Sequence, residues 1–410
     1  MENLIYISIL AILVLEFAFN RTLSFLNIKS SSQPIPEELK DLYNEERYKK
    51  QQSYLRTNAK FGLVSSTFSF LFVFCMFAFG GYAGVDSVAR NITSNALLIT
   101  LLFFAIIKII DFVIDIPFDY YAIFNIEERF GFNRTTKKTF VLDLLKSLFL
   151  GMLINGIVLS AVFIIYQEIL DWFWILAWGL MSTFSLFMSL FYSNLIVPLF
   201  NKQTPLEEGE LRDAIQTFAE KTNFKLKNIY VINGSKRSSK ANAYFTGFGA
   251  KKRIVLYDTL IQQLTTEEIV AVLAHEIGHN KHQHTLKNLA ISLTSNLLLF
   301  FLFGVILKYD VFAQAVGCQS ASFHINMLVF GILYSPISML LGFCRNSLSR
   351  KYEYQADAFV EENGMEDALI SSLKKISSQA LSNLTPHPLV VRVRYSHPTL
   401  YQRIIALKKN

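Results

Sequence analysis

The sequence predicts a mainly α-helical, polytopic membrane protein with a small extramembrane domain built around a short β-sheet. Three observations lead there. Of 410 residues, 52% are hydrophobic and 37 are Phe, a balance outside the usual range for a soluble chain of this length. Seven apolar runs approach the roughly 20 residues needed to cross a bilayer, at about 4–26, 61–84, 96–116, 147–166, 172–199, 286–307 and 324–344. The stretches after the fifth and seventh runs are polar, with short alternating and amphipathic patterns of their own.

The first run is expected to be a span and not a cleaved leader, because Glu2 stands where a basic start belongs, the run is too long, and no small-residue cleavage site follows. Lys and Arg then set the orientation. Segments 27–60, 117–146, 200–285 and 345–410 carry 7, 5, 12 and 10 of them, and the opposite side only Arg90 and Lys308. The N-terminus is therefore expected outside and the four basic segments in the cytosol. The chain divides into 1–199 (five spans with loops 27–60 and 117–146), 200–285 (cytosolic), 286–344 (two spans) and 345–410 (cytosolic). The net charge of +7 reads as this topology signal and an attraction to membrane lipid. It does not point to nucleic acid, since no aromatic-plus-basic motif accompanies it.

Within 200–285, residues 205–224 read as an amphipathic helix begun by Pro205, with Glu207, Glu208 and Glu210 in its first turn. Asn228–Asn233 reads as a strand. About 242–248 and 253–257 read as a hairpin around Gly249–Lys252. The next helix opens on Thr265, Thr266, Glu267 and Glu268, an N-capping pattern, and Ile269, Val270, Val272, Leu273 and Ile277 give it a buried face.

That helix carries His275-Glu276-Ile277-Gly278-His279. Positions i and i+4 lie one above the other, so both imidazoles point the same way, as a metal requires. Glu276 is rotated by about 100° from His275, near enough to act on a water without ligating the metal. With only seven His in the chain, two satisfied helix histidines beside an exposed Glu is the blander reading. A zinc ion held this way lowers the pKa of its water to roughly 7.

Catalytic zinc usually takes three protein ligands. The best third is Glu353, with Asp357 four residues on in the same predicted helix, placed to accept a hydrogen bond from a ligand imidazole. A solvated charge pair with Arg350 is the alternative for these two. His282 and His284 read as exposed juxtamembrane residues. Cys75, Cys318 and Cys344 suggest neither a thiolate cluster nor a disulfide framework. Near the C-terminus, His397 or Arg403 is positioned to donate to an oxyanion, although His397-Pro398 is also a plain helix start. A strand at 242–248 beside the metal helix offers an edge on which an extended peptide adds as one more strand. These features together describe a zinc endopeptidase at the membrane surface. A transporter or receptor with structural zinc is the alternative from another class.

The chain resembles the type I CAAX prenyl proteases, membrane zinc endopeptidases that process prenylated a-factor and prelamin A. The resemblance rests on His275-Glu276-x-x-His279, Glu353-Tyr-Gln-Ala-Asp357, Ile126–Asn133, Pro198–Asn201, Asn242–Gly247, Arg253–Leu260 and Ser396-His397-Pro398, in that family's order. It implies seven helices enclosing a water-filled chamber, capped by a gluzincin-like zinc domain. It implies one Zn2+ on His275, His279 and Glu353, Glu276 as base, Asp357 behind a ligand, and His397 as a transition-state donor. Asn242, Ala243, Tyr244 and Arg403 are the implied substrate contacts, and the substrate a peptide or protein, prenylated or otherwise membrane-delivered. A broad-specificity quality-control protease shares this mechanism and differs in substrate. The short 308–323 connection, against a longer insertion in eukaryotic members, points to a bacterial relative and its cytoplasmic membrane, the endoplasmic reticulum being the eukaryotic counterpart.

Overall fold

The structure, a computed structural model, describes residues 1–224, 226, 228–246, 253–318 and 322–408. The N-terminal half runs through α1 (Glu2–Ser31), α2 (Glu45–Ala78), the shorter α3 (Gly81–Ile92), α4 (Ala96–Tyr121), α5 (Lys137–Glu168) and α6 (Phe173–Leu195). Helix α7 (Glu210–Lys221) and α8 (Thr266–Lys281) lie in the polar segment, and α9 (His284–Ile306) and α10 (Phe323–Glu361) complete the membrane set. Among the described residues, seven helices are long and apolar enough to span a bilayer. Their surfaces confirm the solvent they are built for: Phe149 is 66% and Leu340 64% exposed, which lipid tolerates and water does not.

The second span ends earlier than its apolar run. Gly80 takes a left-handed φ of 69°, a conformation glycine adopts without a Cβ penalty, and turns the chain from α2 into amphipathic α3. Asp86 on the buried face of α3 pairs with Arg90 at 2.8 Å and His324 of α10 at 2.7 Å. Between α4, α5, α6, α9 and α10 lies a cavity of about 620 Å³ whose lining includes Lys108, Asp111 and Asn155 among apolar side chains.

Four strands, β1 (Gln203–Pro205), β2 (Asn228–Ile232), β3 (Ala243–Thr246) and β4 (Arg253–Tyr257), form a mixed sheet in the order β1-β2-β4-β3. Strands β2 and β4 are parallel, and β3 pairs antiparallel with β4, Tyr244 opposite Val255. The expected hairpin therefore forms; its connection, 247–252, lies outside the described residues. Pro205 does not begin a helix. It sits in edge strand β1, where a missing N–H costs no ladder bond, and α7 starts only after Gly209. Ile215 and Phe218 of α7, Ile229, Ile254 and Leu256 of the sheet, and Ile269, Leu273 and Ile277 of α8 share one buried core.

Helix α10 runs unbroken for 39 residues. The seventh span and the segment holding Glu353 and Asp357 belong to one continuous helix, with Pro336 inside it, so the boundary expected at 344/345 falls inside a helix. Beyond it come α11 (Glu366–Gln379), a short helix Pro388–Arg394, and α12 (Leu400–Lys408).

Candidate metal centre

Helix α8 is held at its start by a reciprocal cap. Thr265 Oγ1 accepts from the Glu268 N–H (3.3 Å), and Glu268 Oε2 accepts from the Thr265 N–H (2.8 Å), satisfying two donors a helix start leaves open. Its buried face packs on α10, and at Gly278 the two approach closely. A Cβ there would meet the Cα and O of Ala356 at 3.0 Å and Phe359 Cβ at 3.1 Å. The glycine inside the histidine motif thus lets the carboxylate-bearing helix reach the imidazoles.

The meeting point is tight. His275 Nε2 and His279 Nε2 are 3.2 Å apart, Glu353 Oε1 is 3.3 Å from His279 Nε2, and Glu353 Oε2 is 3.5 Å from His275 Nε2. Four ligands on a tetrahedron at zinc distances of about 2.0–2.1 Å are separated by about 3.3 Å along each edge. Taken over both carboxylate oxygens, the two imidazole nitrogens and Glu353 therefore lie at about the spacing of such an ion's coordination sphere. Glu353 is 3% exposed, yet its Oε2 has no hydrogen-bond partner among the described residues. A buried, unsatisfied carboxylate oxygen is costly, and a cation between it and two imidazole nitrogens removes that cost. The donor set, two nitrogens and one carboxylate, fits a zinc-type metal.

Behind the cluster, Asp357 Oδ1 lies 2.8 Å from His275 Nδ1. An ionised carboxylate only accepts, so the His275 proton sits on Nδ1 and Nε2 faces the cluster with its lone pair. Arg403 grips the same carboxylate with Nη2 (2.5 Å to Oδ1) and Nε (2.9 Å to Oδ2). Its Nη2 is also 3.2 Å from His275 Nδ1: two donors share one acceptor. Burial and the Arg403 charge pull the His275 pKa down, but the Asp357 and Glu353 carboxylates beside it outweigh both and raise it above the ordinary histidine value. Burial likewise opposes the Arg403 charge, and Asp357 more than offsets it.

Glu276 is half-buried, and no hydrogen bond among the described residues engages its carboxylate, although Arg403 feels its charge. His397 reaches the cluster from the chain's end: its side chain is 64% exposed, with Nε2 3.3 Å from Glu353 Oε1 and Nδ1 2.8 Å from Ser396 Oγ. Arg403, expected at the substrate, is 8% exposed and occupied with Asp357. Asn242 immediately precedes β3, which is an outer strand of the sheet, and no hydrogen bond among the described residues joins Asn242–Tyr244 to the His–Glu cluster.

His282 is exposed as expected, but His284 is not: it is 2% exposed. Its Nδ1 lies 2.9 Å from His279 Nδ1 and its Nε2 2.9 Å from Gln355 Oε1. Gln283 adopts a left-handed φ of 56° between α8 and α9, which swings His284 back under the ligand pair. Helical spacing gives no hint of this, because five residues on an unbroken helix place two side chains on different faces. The one available signal was the density of four histidines within 275–284.

Comparison with known proteins agrees with the geometry. Residues 24–202 match the family described as CAAX prenyl protease N-terminal, five membrane helices, and residues 205–410 match Peptidase family M48. The chain is 34% identical to "CAAX prenyl protease 1 homolog" of Oryza sativa (98% of this chain, 96% of the relative). It is 32% identical to "CAAX prenyl protease 1" of Saccharomyces cerevisiae (96% and 93%), and 32% to the Homo sapiens homolog (91% and 88%). The crystal structure of S. mikatae Ste24p superposes with a TM-score of 0.92 at 32% identity, covering 98% of this chain and 99% of that one.

Proposed function

The chain belongs to the CAAX prenyl protease 1 family and is a membrane metalloprotease, and from that premise we propose how its own residues do the work. His275, His279 and Glu353 hold one Zn2+, and the substrate is a CAAX-type peptide whose lipid keeps it at the membrane. Among the relatives, the name CAAX prenyl protease 1 belongs to the yeast enzyme; the substrate class is carried here by similarity over nearly the whole chain. The single observation behind the metal assignment is the cluster of His275 Nε2, His279 Nε2 and the two Glu353 oxygens, with contacts of 3.2–3.5 Å, in which Glu353 Oε2 has no hydrogen-bond partner among the described residues.

When bound, the metal supplies Lewis acidity toward the scissile carbonyl and makes water acidic enough to ionise near neutral pH. Glu276 takes the proton of the attacking water and returns it to the leaving amine, a role its uncommitted carboxylate suits. His397 donates from Nε2 to the carbonyl oxygen as charge builds there. Asp357 fixes the tautomer of His275, and Arg403 holds Asp357 in place and neutralises it. The free side of β3, at Asn242–Tyr244, takes the peptide as an added strand. The density of basic residues in 200–285 and 345–410 supports a cytosolic site and an outer N-terminus.

The test uses detergent-purified protein, a metal assay, and paired farnesylated and plain CAAX peptides, with cuts located by mass spectrometry. The reading expects one zinc per chain and faster cleavage of the farnesylated peptide. Glu276→Gln should retain the zinc and lose about 10²–10⁴ in kcat. A Glu276→Gln enzyme cutting at the wild-type rate overturns the assignment of the base, and equal cleavage of both peptides overturns the lipidated substrate class.

A further inference from the structure

We propose that His284 and Gln355 form a proton-ordered relay that presents His279 to the metal in its ligating tautomer, making His284 a positioning residue of the centre. The inference rests on the metal assignment above and goes beyond it. His279 Nε2 faces the cluster, so as a ligand it must be bare, and the ring's single proton then sits on Nδ1. That atom has His284 Nδ1 at 2.9 Å. Two imidazole nitrogens at this distance hold one proton between them, so His284 Nδ1 accepts and its own proton belongs on Nε2. Nε2 lies 2.9 Å from Gln355 Oε1, an acceptor. The order set at one end by the metal's need for a lone pair agrees with the order set at the other by an amide oxygen.

Reversing any one link reverses the whole relay and places a proton on the nitrogen that has to ligate. His275 has a carboxylate, Asp357, to settle this matter; His279 has a neutral histidine instead. The His284 ring is kept from turning by stacking on Tyr352, with ring centroids 4.1 Å apart and 14° between planes. Gln355 and Tyr352 both belong to α10, the helix that supplies Glu353, so the same helix delivers one ligand and orders another. An outer partner of this kind typically changes metal affinity 10–100-fold.

The experiment measures zinc Kd by chelator competition for the full-length protein and for His284→Ala, His284→Phe, Gln355→Leu and Gln355→Glu. Phe keeps a ring for the Tyr352 stack but removes the acceptor. The proposal expects His284→Phe and His284→Ala to weaken zinc alike, by 10–100-fold, with activity recovered as zinc is added. It expects Gln355→Leu to weaken zinc less and Gln355→Glu, an acceptor at the same place, to hold it at least as tightly as wild type. If His284→Phe binds zinc as wild type does, the stack alone matters and the relay is wrong. If Gln355→Glu loses zinc as Gln355→Leu does, the proton order is wrong. Failure of the metal assignment itself looks different: wild type then binds no stoichiometric zinc.

Discussion

Asp357 Oδ1 sits 2.8 Å from His275 Nδ1 while Arg403 Nη2 approaches the same oxygen at 2.5 Å, so one buried carboxylate serves an imidazole and a guanidinium together. Asp357→Asn keeps an acceptor but removes the charge. Arg403, 8% exposed, then loses its nearest counter-ion and keeps the more distant Glu353 at 3.8 Å; breaking a buried pair of this type costs on the order of 3 kcal/mol. The variant should show zinc affinity lower by about 10–100-fold and a clear loss of thermal stability even when the metal is chelated. Unchanged stability of the chelated protein would mean that the Arg403–Asp357 pair carries no structural weight.

His397 tests the other side of the centre. Its side chain is 64% exposed, against 8% and 22% for those of His275 and His279, which suits a group that meets the reacting carbonyl and not one that holds the ion. His397→Ala should therefore lower kcat by about 10²–10³ with KM and zinc Kd within about threefold of wild type. A large rise in zinc Kd, found by the same chelator competition, would instead make His397 a ligand.

Gly278 determines how closely the two ligand-bearing helices meet. In Gly278→Ala the new methyl faces the backbone of Ala356 at 3.0 Å, and backbone gives way only if α8 and α10 separate. Overpacking costs about 1–3 kcal/mol, against about 1 kcal/mol that Ala gains in helix propensity. The net expectation is a loss of up to about 2 kcal/mol in chelated protein, read by thermal unfolding in detergent. Weaker zinc should accompany it, because Glu353 retreats from the imidazoles. A more stable Gly278→Ala protein would show that the helices yield freely.

What was legible in the sequence is what local geometry dictates. His275 with His279, and Glu353 with Asp357, each share a helix face through i, i+4 spacing, and hydropathy alone located the seven spans. What was not legible depends on backbone turns or on contacts distant in sequence. The end of α2 depends on Gly80, which lies inside an apolar run. Strand β1 is three residues long, too short to show alternation, and exists only because β2 pairs with it. His284 enters the site through the left-handed turn at Gln283 and a partner 71 residues away. Arg403 was legible as a functional cation but not as one buried against Asp357.

Glu268 ties the start of the histidine helix to α11, and its pH response can be worked out in advance. Oε2 closes the cap on Thr265, while Oε1 accepts from Ser371 Oγ and Lys375 Nζ, both at 2.6 Å. Burial alone would raise its pKa, but hydrogen bonds from Lys375, Ser371 and Thr265 outweigh it and hold the group below the ordinary glutamate value. A depressed acid contributes stability that is present above its unfolded pKa, about 4.3, and that fades as pH falls through the folded value. Glu268→Gln keeps an acceptor for the Thr265 N–H but loses the charge facing Lys375, and should therefore be less stable than wild type at pH 7 by up to about 1 kcal/mol. That gap should close as pH is lowered below about 4. Thermal unfolding of both proteins across this range, with metal chelated so that the histidine ligands do not add their own titration, measures it. A gap that stays constant with pH would assign the loss to packing and not to the Glu268 charge.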